Sequence, residues 1–354
     1  MKRKIYFGLI ICVLLATVSI QAEASPAMYT IKDLGTLGGY GSEAYDINNL
    51  GQVVGRASNG NEYGRAFIYD GEMHDVGTLG GVYSKATGIN DSGQVVGDSL
   101  TSSGYSHAFM YDGTMHDMDI LDGGHSGASD INNNGQVVGY SRLNNNYPHA
   151  FMYDGEMHDL SDLGGGESVA SGINNNDQVV GYSLTSSGYT HAFMYDGEMH
   201  DLGTLGGNGS QANNINDNGQ VVGEFHTSSD ICHAFLYDGT IHDLGTLGGN
   251  YSEAFGINIS GHVVGGAETS SGAWHAFLYD GMMHDLNTLV DLGPNWDYLV
   301  EANAINNSGQ IVGIGYLRSG EQRAFLLTPV PEPSSLLALV CGLGGLGVVW
   351  RRRK

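Results

Sequence analysis

Short apolar segments alternate with polar turns along most of the chain, and this alternation repeats seven times. An Ile-Asn dipeptide recurs from Ile47 to Ile305, and Gln-Val-Val-Gly or a close variant follows it each time. Self-similarity at a fixed period indicates a repeat architecture in which each unit is one small structural module. An Ala-Phe dipeptide recurs in step, five times after 42 residues and once after 48, starting at Ala66, Ala108, Ala150, Ala192, Ala234, Ala276 and Ala324.

A single unit contains four short segments rich in β-branched and aromatic residues, at 169–173, 178–183, 191–195 and 198–202. Between them, Asn-Asn-Asn-Asp at 174–177 tolerates left-handed backbone, and Asp196-Gly197 is a strong hairpin signal. Four strands in about 42 residues are typical of a propeller blade, and propellers usually have about four to eight blades. The pattern therefore predicts an all-β, seven-bladed β-propeller of four-stranded blades.

The two ends of the repeat array predict how the ring closes. A fourth strand follows each of the first six Ala-Phe segments, but the chain after Ala324 lacks one. Residues 29–34 and the Gly-rich segment 35–39 look like an orphan fourth strand with its loop. We therefore predict that the N-terminal strand completes the seventh blade, because this leaves no unpaired strand between the ends. An open solenoid would instead carry atypical caps.

The first 24 residues predict a secretory signal peptide. Residues 1–4 are Met-Lys-Arg-Lys, residues 5–20 are apolar, and Ala22-Glu23-Ala24 fits a small-residue cleavage site. Cleavage between Ala24 and Ser25 would leave a seven-repeat domain over 25–330. An uncleaved membrane anchor is the alternative interpretation.

The C-terminal segment 331–354 has three parts: Pro331, Glu332 and Pro333 come first, an apolar run at 336–350 follows, and a basic cluster at 351–354 ends the chain. In this order the three parts resemble the PEP-CTERM sorting signal of Gram-negative bacteria. The run is short for a membrane span, which needs about 20 residues. The resemblance implies recognition by an exosortase-type sorting enzyme, transient membrane anchoring, removal of the tail, and delivery to the cell surface or extracellular matrix. A plain C-terminal anchor is the alternative.

The repeated motifs His-Ala-Phe-Met-Tyr-Asp-Gly and Ile-Asn-x-x-Gly-Gln-Val-Val-Gly resemble the extracellular HAF-repeat family. The resemblance covers about residues 29–327, and two units depart from it because Arg65 and Arg323 replace the leading His. It implies an exported β-repeat protein and carries no defined activity.

The charge and the cysteine content argue against acidic binding partners and against a disulfide bond within the body. The body between Ser25 and Val330 holds 7 of the 14 basic residues and 36 of the 38 acidic ones. Such a surface repels nucleic acid and anionic lipid, so we expect neither as a partner. Cys12 lies in the signal peptide and Cys341 in the tail, so Cys232 has no disulfide partner within the body.

Histidine and aspartate recur in almost every unit and raise the question of a metal or catalytic site. A zinc site needs three or four converging ligands, whereas equivalent positions of a ring lie whole blades apart. A two-residue turn at Asp112-Gly113 would place His116 opposite Phe109, as a cross-strand packing pair. A pair of glycosidase carboxylates should be singular rather than repeated. We therefore predict no catalytic residue, no metal site and no cofactor.

Asp46 and Asp130 open oxygen-rich turns that faintly resemble calcium loops. Calcium takes about six to eight oxygen ligands, commonly including a bidentate acid. Ordinary Asn-Gly turns are the preferred interpretation, and calcium binding stays open. The equivalent residue elsewhere is Gly88, Gly172, Asn214, Gly256 or Ala304.

The loops between the second and third strands vary most among the units and should lie on one face with the crossovers between blades. Loop aromatics beside polar groups stack on sugars or contact proteins, although these rings would serve equally well to cover the blade ends. Four loops carry a tyrosine and a fifth carries a tryptophan, at Tyr63, Tyr105, Tyr147, Tyr189 and Trp274.

The last crossover is six residues longer than its peers and should project from the same face. Its two aromatic and two acidic residues, Trp296, Tyr298, Asp291 and Asp297, form the best single candidate for a specific ligand site. A small helical plug is the alternative.

Three functions remain open. The preferred one is a non-enzymatic surface or matrix scaffold that binds polysaccharide or another protein. The second is a propeller enzyme, a lyase or hydrolase, that acts on extracellular polysaccharide. The third is an ice-associated surface protein, which the lack of flat, regularly spaced threonine arrays disfavours.

Overall fold

The computed structural model describes residues 28–331 except 62, 119–120, 122–123, 144–146 and 230. The predicted signal peptide with its cleavage site at Ala24 and Ser25 lies outside the described residues, as do Glu332 and Pro333 of the sorting signal. Pro331 is exposed at the end of the described chain.

The described chain forms seven sheets, each of four antiparallel strands, and six sheets use four consecutive strands. Blade one contains β2 (Gly38–Ile47), β3 (Val53–Asn59), β4 (Gly64–Tyr69) and β5 (Met73–Gly77). Blade two contains β6 (Gly80–Ile89), β7 (Val95–Thr101), β8 (Ser106–Tyr111) and β9 (Met115–Asp117). Blade three contains β10 (Ser126–Ile131), β11 (Val137–Arg142), β12 (Pro148–Tyr153) and β13 (Met157–Asp159).

The next three blades repeat the order. Blade four contains β14 (Gly164–Ile173), β15 (Val179–Thr185), β16 (Thr190–Tyr195) and β17 (Met199–Gly203). Blade five contains β18 (Ser210–Ile215), β19 (Val221–His226), β20 (Cys232–Tyr237) and β21 (Ile241–Asp243). Blade six contains β22 (Gly248–Ile257), β23 (Val263–Thr269), β24 (Trp274–Tyr279) and β25 (Met283–Asp285), and α1 (Leu286–Leu289) follows it.

The seventh blade joins the two ends of the chain. Its strands are β26 (Trp296–Ile305), β27 (Ile311–Leu317), β28 (Gln322–Pro329) and the N-terminal β1 (Tyr29–Asp33). β1 pairs antiparallel with β28, from Tyr29 opposite Pro329 to Asp33 opposite Phe325. The seven-bladed propeller and its closure by the N-terminal strand are therefore confirmed.

Each apolar core lies between two neighbouring blades and uses the repeated residues. Between blades three and four, Val138 and Ala150 pack against Val179, Ile173 and the fully buried Phe193. Corresponding clusters lie at the other junctions, so the Ala-Phe and Val-Val dipeptides of one unit always meet those of the next. A single unit cannot bury both of its faces, and stacking in a ring supplies the missing partner on each side.

The glycine of Gln-Val-Val-Gly is required by a close backbone approach. In blade four the register of β14 against β15 shifts between Ala170 and Gly172, which is a β-bulge. A Cβ built on Gly181 would collide with the carbonyl oxygen of Val169. The same collision recurs in all seven blades, at Gly55, Gly97, Gly139, Gly181, Gly223, Gly265 and Gly313.

The hairpin between the third and fourth strands differs from the prediction. His116 pairs with Met110, whereas Phe109 pairs with Asp117, because Asp112, Gly113 and Thr114 form a turn of three residues rather than two. The predicted pairing of His116 with Phe109 was wrong by one residue.

The long last crossover packs against the N-terminal strand. The backbone N–H of Met28 donates to Leu289 of α1 over 2.9 Å, and Tyr29 forms an isolated bridge with Val290. Leu286, Val290 and Trp296 are buried in one cluster with Tyr29 and Leu327. The insertion thus contributes to the core where the ring closes.

Candidate functional site

Seven buried asparagines form a closed ring of hydrogen bonds around the axis, called here the axial belt. Each side-chain Nδ2 donates to the backbone carbonyl of the equivalent asparagine in the next blade, over 2.9–3.3 Å. The bond from Asn306 to Asn48 joins blade seven to blade one. The belt comprises Asn48, Asn90, Asn132, Asn174, Asn216, Asn258 and Asn306.

Each belt asparagine also holds its own turn. Asn174 Nδ2 donates to Gln178 Oε1 over 2.8 Å, and its Oδ1 accepts from the backbone N–H groups of Asn176 and Gln178 over 3.0 Å. An asparagine side chain offers two donor hydrogens and one acceptor oxygen, and all of these are used here. The Ile-Asn-x-x-Gly-Gln motif therefore builds the ring.

Two acidic side chains lie at the wall of the axial channel, just before the belt. Asp46 accepts from the backbone N–H groups of Ile47 and Ile89, both over 2.8 Å. Asp130 accepts likewise from Ile131 over 2.7 Å and Ile173 over 3.0 Å. Each carboxylate thus bridges its own blade to the next, a structural use that supports the turn interpretation over calcium binding.

Burial dominates the electrostatics of these two groups. It raises the pKa of Asp46 to about 7, and the negative charge of Asp130 adds to this rise while the two backbone hydrogen bonds oppose it. Burial likewise raises the pKa of Asp130 to about 6 against the same kind of opposition. Both carboxyls therefore titrate close to neutral pH.

The position of Asp46 alternates between larger residues and glycine around much of the ring, because the first strands of neighbouring blades lie close together near the axis. A Cβ on Gly88 would lie 3.1 Å from the Asp130 Cα, and one on Gly172 would lie 3.1 Å from the Asn214 Cα. Glycine at Gly88 and Gly172 therefore avoids a tight contact with the backbone of the next blade. The Asp–Gly alternation in the sequence therefore records packing around a narrow axis.

Four tyrosines stand at equivalent places on the crossover face, the face formed by the loops between second and third strands and the connections between blades. They belong to blades one to four and are about half exposed, with Tyr63 at 49%, Tyr105 at 49%, Tyr147 at 50% and Tyr189 at 47%. The equivalent residues of blades five to seven are Ile231, Ala273 and Glu321. The exposed tyrosines thus form an arc, called here the tyrosine arc, over one side of the ring.

Hydrogen bonds hold the arc loops in place. Thr185 donates its backbone N–H to the Tyr189 carbonyl over 2.8 Å, and its hydroxyl lies 3.2 Å from the Tyr189 backbone nitrogen. Thr101 and Tyr105 repeat both contacts in blade two. A loop fixed in this way loses little conformational entropy when its ring meets a ligand.

The last crossover exposes three of its four candidate residues and buries the fourth, Trp296. Trp296 is only 4% exposed and packs edge-on against Phe325 with ring centroids 6.3 Å apart, so its ring is not available to a ligand. The start of β26 points this ring into the core, and ligand binding at the last crossover stays a prediction. Asp291 and Asp297 are exposed, and Tyr298 is 36% exposed and stacks on Tyr316 with centroids 5.4 Å apart.

Trp274, the fifth predicted loop aromatic, lies against the neighbouring blade. A Cβ on Gly266 would collide with its indole Nε1, so glycine here leaves room for the ring. The indole hydrogen-bonds the carboxylate of Glu301, whose pKa is raised by burial and by the charge of Glu43. Trp274 thus bridges blades six and seven and is only partly exposed.

The repeated histidines join the outer strands of each blade. In blade four, His191 Nδ1 lies 2.8 Å from Asp201 Oδ2, and His200 Nε2 lies 2.9 Å from Asp196 Oδ1. Arg65, which replaces the leading histidine in blade one, makes the equivalent contact with Asp75 over 3.2 Å. Arg65 therefore keeps the contact with an aspartate and puts a guanidinium in the place of the imidazole.

One further cluster was missed by the sequence analysis. Glu224 and Cys232 of blade five and Glu253 of blade six bring their donor atoms within 4.8 Å of one another. The Cys232 thiol donates to Glu224 Oε2 over 2.8 Å. Burial raises the pKa of the Cys232 thiol, and burial together with Glu224 raises the pKa of Glu253 to about 7. A comparison of the positions that vary between aligned repeats, in place of the residues that recur, would have indicated this cluster.

The C-terminal resemblance is confirmed: residues 329–354 match the PEP-CTERM protein-sorting motif. This motif indicates export and sorting to the cell surface. Residues 78–164, which include blades two and three, match a family described as a protein of unknown function, DUF3466. No HAF-repeat family is among these matches, so that resemblance stays a prediction. No curated protein matches the chain.

Two solved structures are similar at low identity. The β-propeller domain of the trilobed protease from Pyrococcus furiosus is 13% identical, with a TM-score of 0.47 over 69% of this chain and 83% of that one. The Trypanosoma rangeli sialidase in complex with the inhibitor DANA is 11% identical, with a TM-score of 0.41 over 86% of this chain and 57% of that one. Among the described residues, no helix has the length and apolar character needed to cross a membrane.

Proposed function

We propose that this exported propeller is a non-enzymatic surface scaffold that binds a neutral extracellular polysaccharide across its crossover face. The tyrosine arc carries the proposal. Its four rings occupy the same position on four consecutive blades, each about half exposed. Such a row presents several equivalent contacts to a polymer of repeating units, whereas a small ligand would need one enclosed pocket.

Charge favours a neutral polymer over an acidic one. The body holds 36 acidic residues against 7 basic ones, so an anionic polysaccharide would be repelled at low salt. Tyrosine rings stack on the apolar faces of sugars, and a tyrosine hydroxyl can hydrogen-bond a sugar hydroxyl. A neutral glycan uses both properties without meeting the repulsion.

The use of the axial carboxylates favours binding over catalysis. A glycosidase needs one carboxyl that gives a proton and a second that acts as base or nucleophile. The oxygens of Asp46 and Asp130 accept four backbone hydrogen bonds that tie neighbouring blades together. Residues engaged in this way serve the ring, so the polysaccharide enzyme is the weaker candidate.

Binding to an immobilised neutral glucan, with alginate as an acidic comparison, tests the proposal. Replacing Tyr105 by Ala should weaken glucan binding about fivefold, because an aromatic contact contributes about 1 kcal/mol. Replacing all four arc tyrosines by Ala should abolish measurable binding, while replacing them by Phe should keep most of it.

The matched control is Leu50→Ala, which removes a 72% exposed apolar side chain from an axial turn on the opposite face. Equal binding by the four-alanine variant and the parent would refute the proposed site. Release of reducing ends from the glucan by the parent protein would instead favour the hydrolase.

A further inference from the structure

The junctions between blades repeat one arrangement of three side-chain positions. Each junction takes one residue from the second strand and one from the start of the third strand of a blade, and one from the first strand of the next blade. Between blades one and two these are Arg56, Gly64 and Lys85; between blades five and six they are Glu224, Cys232 and Glu253. The residues at these three positions can therefore be compared from one junction of the ring to the next.

In the other junctions that contain a carboxylate, a serine, tryptophan or glutamine side chain hydrogen-bonds it, whereas between blades five and six the Cys232 thiol donates to Glu224 alone. Between blades six and seven, Trp274 hydrogen-bonds Glu301. Between blades seven and one, Gln322 Nε2 donates to Glu43 Oε1 over 3.2 Å, and Arg56 bonds the same carboxylate over 2.8 Å. In blade two, Ser106 bonds Asp98.

The junction between blades five and six has a different composition. All three of its positions hold metal-ligating side chains, and the charges acting on Glu253 are the carboxylates of Glu224 and Glu301. Within the described part of the chain, this is the one set of three or more His, Cys, Asp or Glu side chains whose donor atoms converge to within 4.8 Å. A cation is the partner that would satisfy all three at once.

We propose that Glu224, Cys232 and Glu253 bind one zinc ion that links blade five to blade six. The combination of one thiolate and two carboxylates matches zinc, because calcium and magnesium do not take sulfur ligands. Ligand atoms of tetrahedral zinc lie about 3.5 Å apart, so small rotations of two glutamate side chains complete the geometry. Binding displaces the thiol proton and any proton shared by the carboxyls into the solvent.

The location leaves a fourth coordination position for water. Cys232 begins β20 next to the loop on the crossover face, and all three side chains are only partly buried. The ion would therefore enter from that face. It would link two blades of an exported domain in which Cys232 forms no disulfide.

Cobalt titration of the full chain tests this, with Cys12→Ser and Cys341→Ser so that Cys232 is the one remaining thiol. We expect one equivalent of Co²⁺ to bind and produce a thiolate-to-cobalt charge-transfer band, which one equivalent of Zn²⁺ then displaces. Cys232→Ser should remove the band, and Glu253→Gln should weaken binding at least about tenfold. Asp98→Asn, in the junction between blades two and three, is the matched control and should bind as the parent.

A second measurement guards against a folding defect in the variants. The melting temperature of the parent should rise on addition of Zn²⁺, while that of Cys232→Ser should match the metal-free parent and not respond. Absence of the charge-transfer band, its persistence in Cys232→Ser, or equal weakening by Asp98→Asn would each overturn the proposal.

Discussion

The axial belt repeats the same residues and contacts in every blade, whereas the crossover face varies from blade to blade. Around the axis, seven asparagines make the same contacts in every blade, and their last bond joins blade seven to blade one. On the crossover face, the position of Tyr189 becomes isoleucine, alanine or glutamate in the last three blades. Repetition thus serves closure of the ring, and variation produces the sites that are proposed to bind ligands.

The exceptions within the belt support this division. His262 replaces the glutamine of the motif, yet Asn258 still donates to the Asn306 carbonyl over 3.3 Å. Ile259 stands where other blades have an asparagine or aspartate whose side-chain oxygen accepts a backbone N–H from the preceding blade. Its own backbone N–H still donates to Asn307 Oδ1 over 3.0 Å. The ring therefore tolerates the loss of single secondary contacts while it keeps the bond from blade to blade.

The largest effect should come from a methyl group at a repeated glycine. Gly181→Ala places a Cβ against the Val169 carbonyl at the bulge, which forces the two strands apart. We expect a loss of at least about 3 kcal/mol in the free energy of unfolding, measured by urea denaturation. Gly60→Ala, in a crossover-face loop with no heavy atom within 4 Å of the added Cβ, is the control and should be neutral. Similar unfolding curves for the two variants would contradict the inference that the repeated positions stabilise the ring more than the variable loops do.

A smaller effect is expected at the belt itself. Asn174→Ala removes four hydrogen bonds and leaves the N–H groups of Asn176 and Gln178 without their acceptor. The expected cost is about 2–4 kcal/mol, because buried polar groups that lose their partners keep their desolvation penalty. Asn208→Ala, on the exposed crossover face, should cost less than about 0.5 kcal/mol. Equal costs would show that the belt does not stabilise the ring.

The effect that is smallest per pH unit and carboxyl is a pH dependence that arises from Asp46 and Asp130. Their folded-state pKa values of about 7 and about 6 lie above the value of about 3.9 for an unfolded chain. Between these limits the folded protein binds more protons, so its stability should fall as pH rises from about 4 to 7. The slope should be at most about 1.4 kcal/mol per pH unit for each carboxyl.

Thermal melts of Asp46→Asn between pH 4 and 8 measure that slope. The variant should show a flatter dependence than the parent, and Asp291→Asn, at an exposed position of the last crossover, should not change it. The pKa of Glu253 is also raised, so this residue also lowers the stability as pH rises. The slope of Asp46→Asn is therefore compared with the slope of the parent and not with a slope of zero. An unchanged slope in Asp46→Asn would remove the axial carboxyls from the explanation.

By itself the sequence determined the number of blades, the positions of their strands and the closure by β1. These features depend on local periodicity and turn chemistry, which each unit repeats within about 42 residues. The placement of Trp296, the pairing of His116 and the meeting of Cys232 with Glu253 were decided by the tertiary structure. They depend on side-chain direction and on contacts across blades, because neighbouring units share a junction that neither unit contains alone.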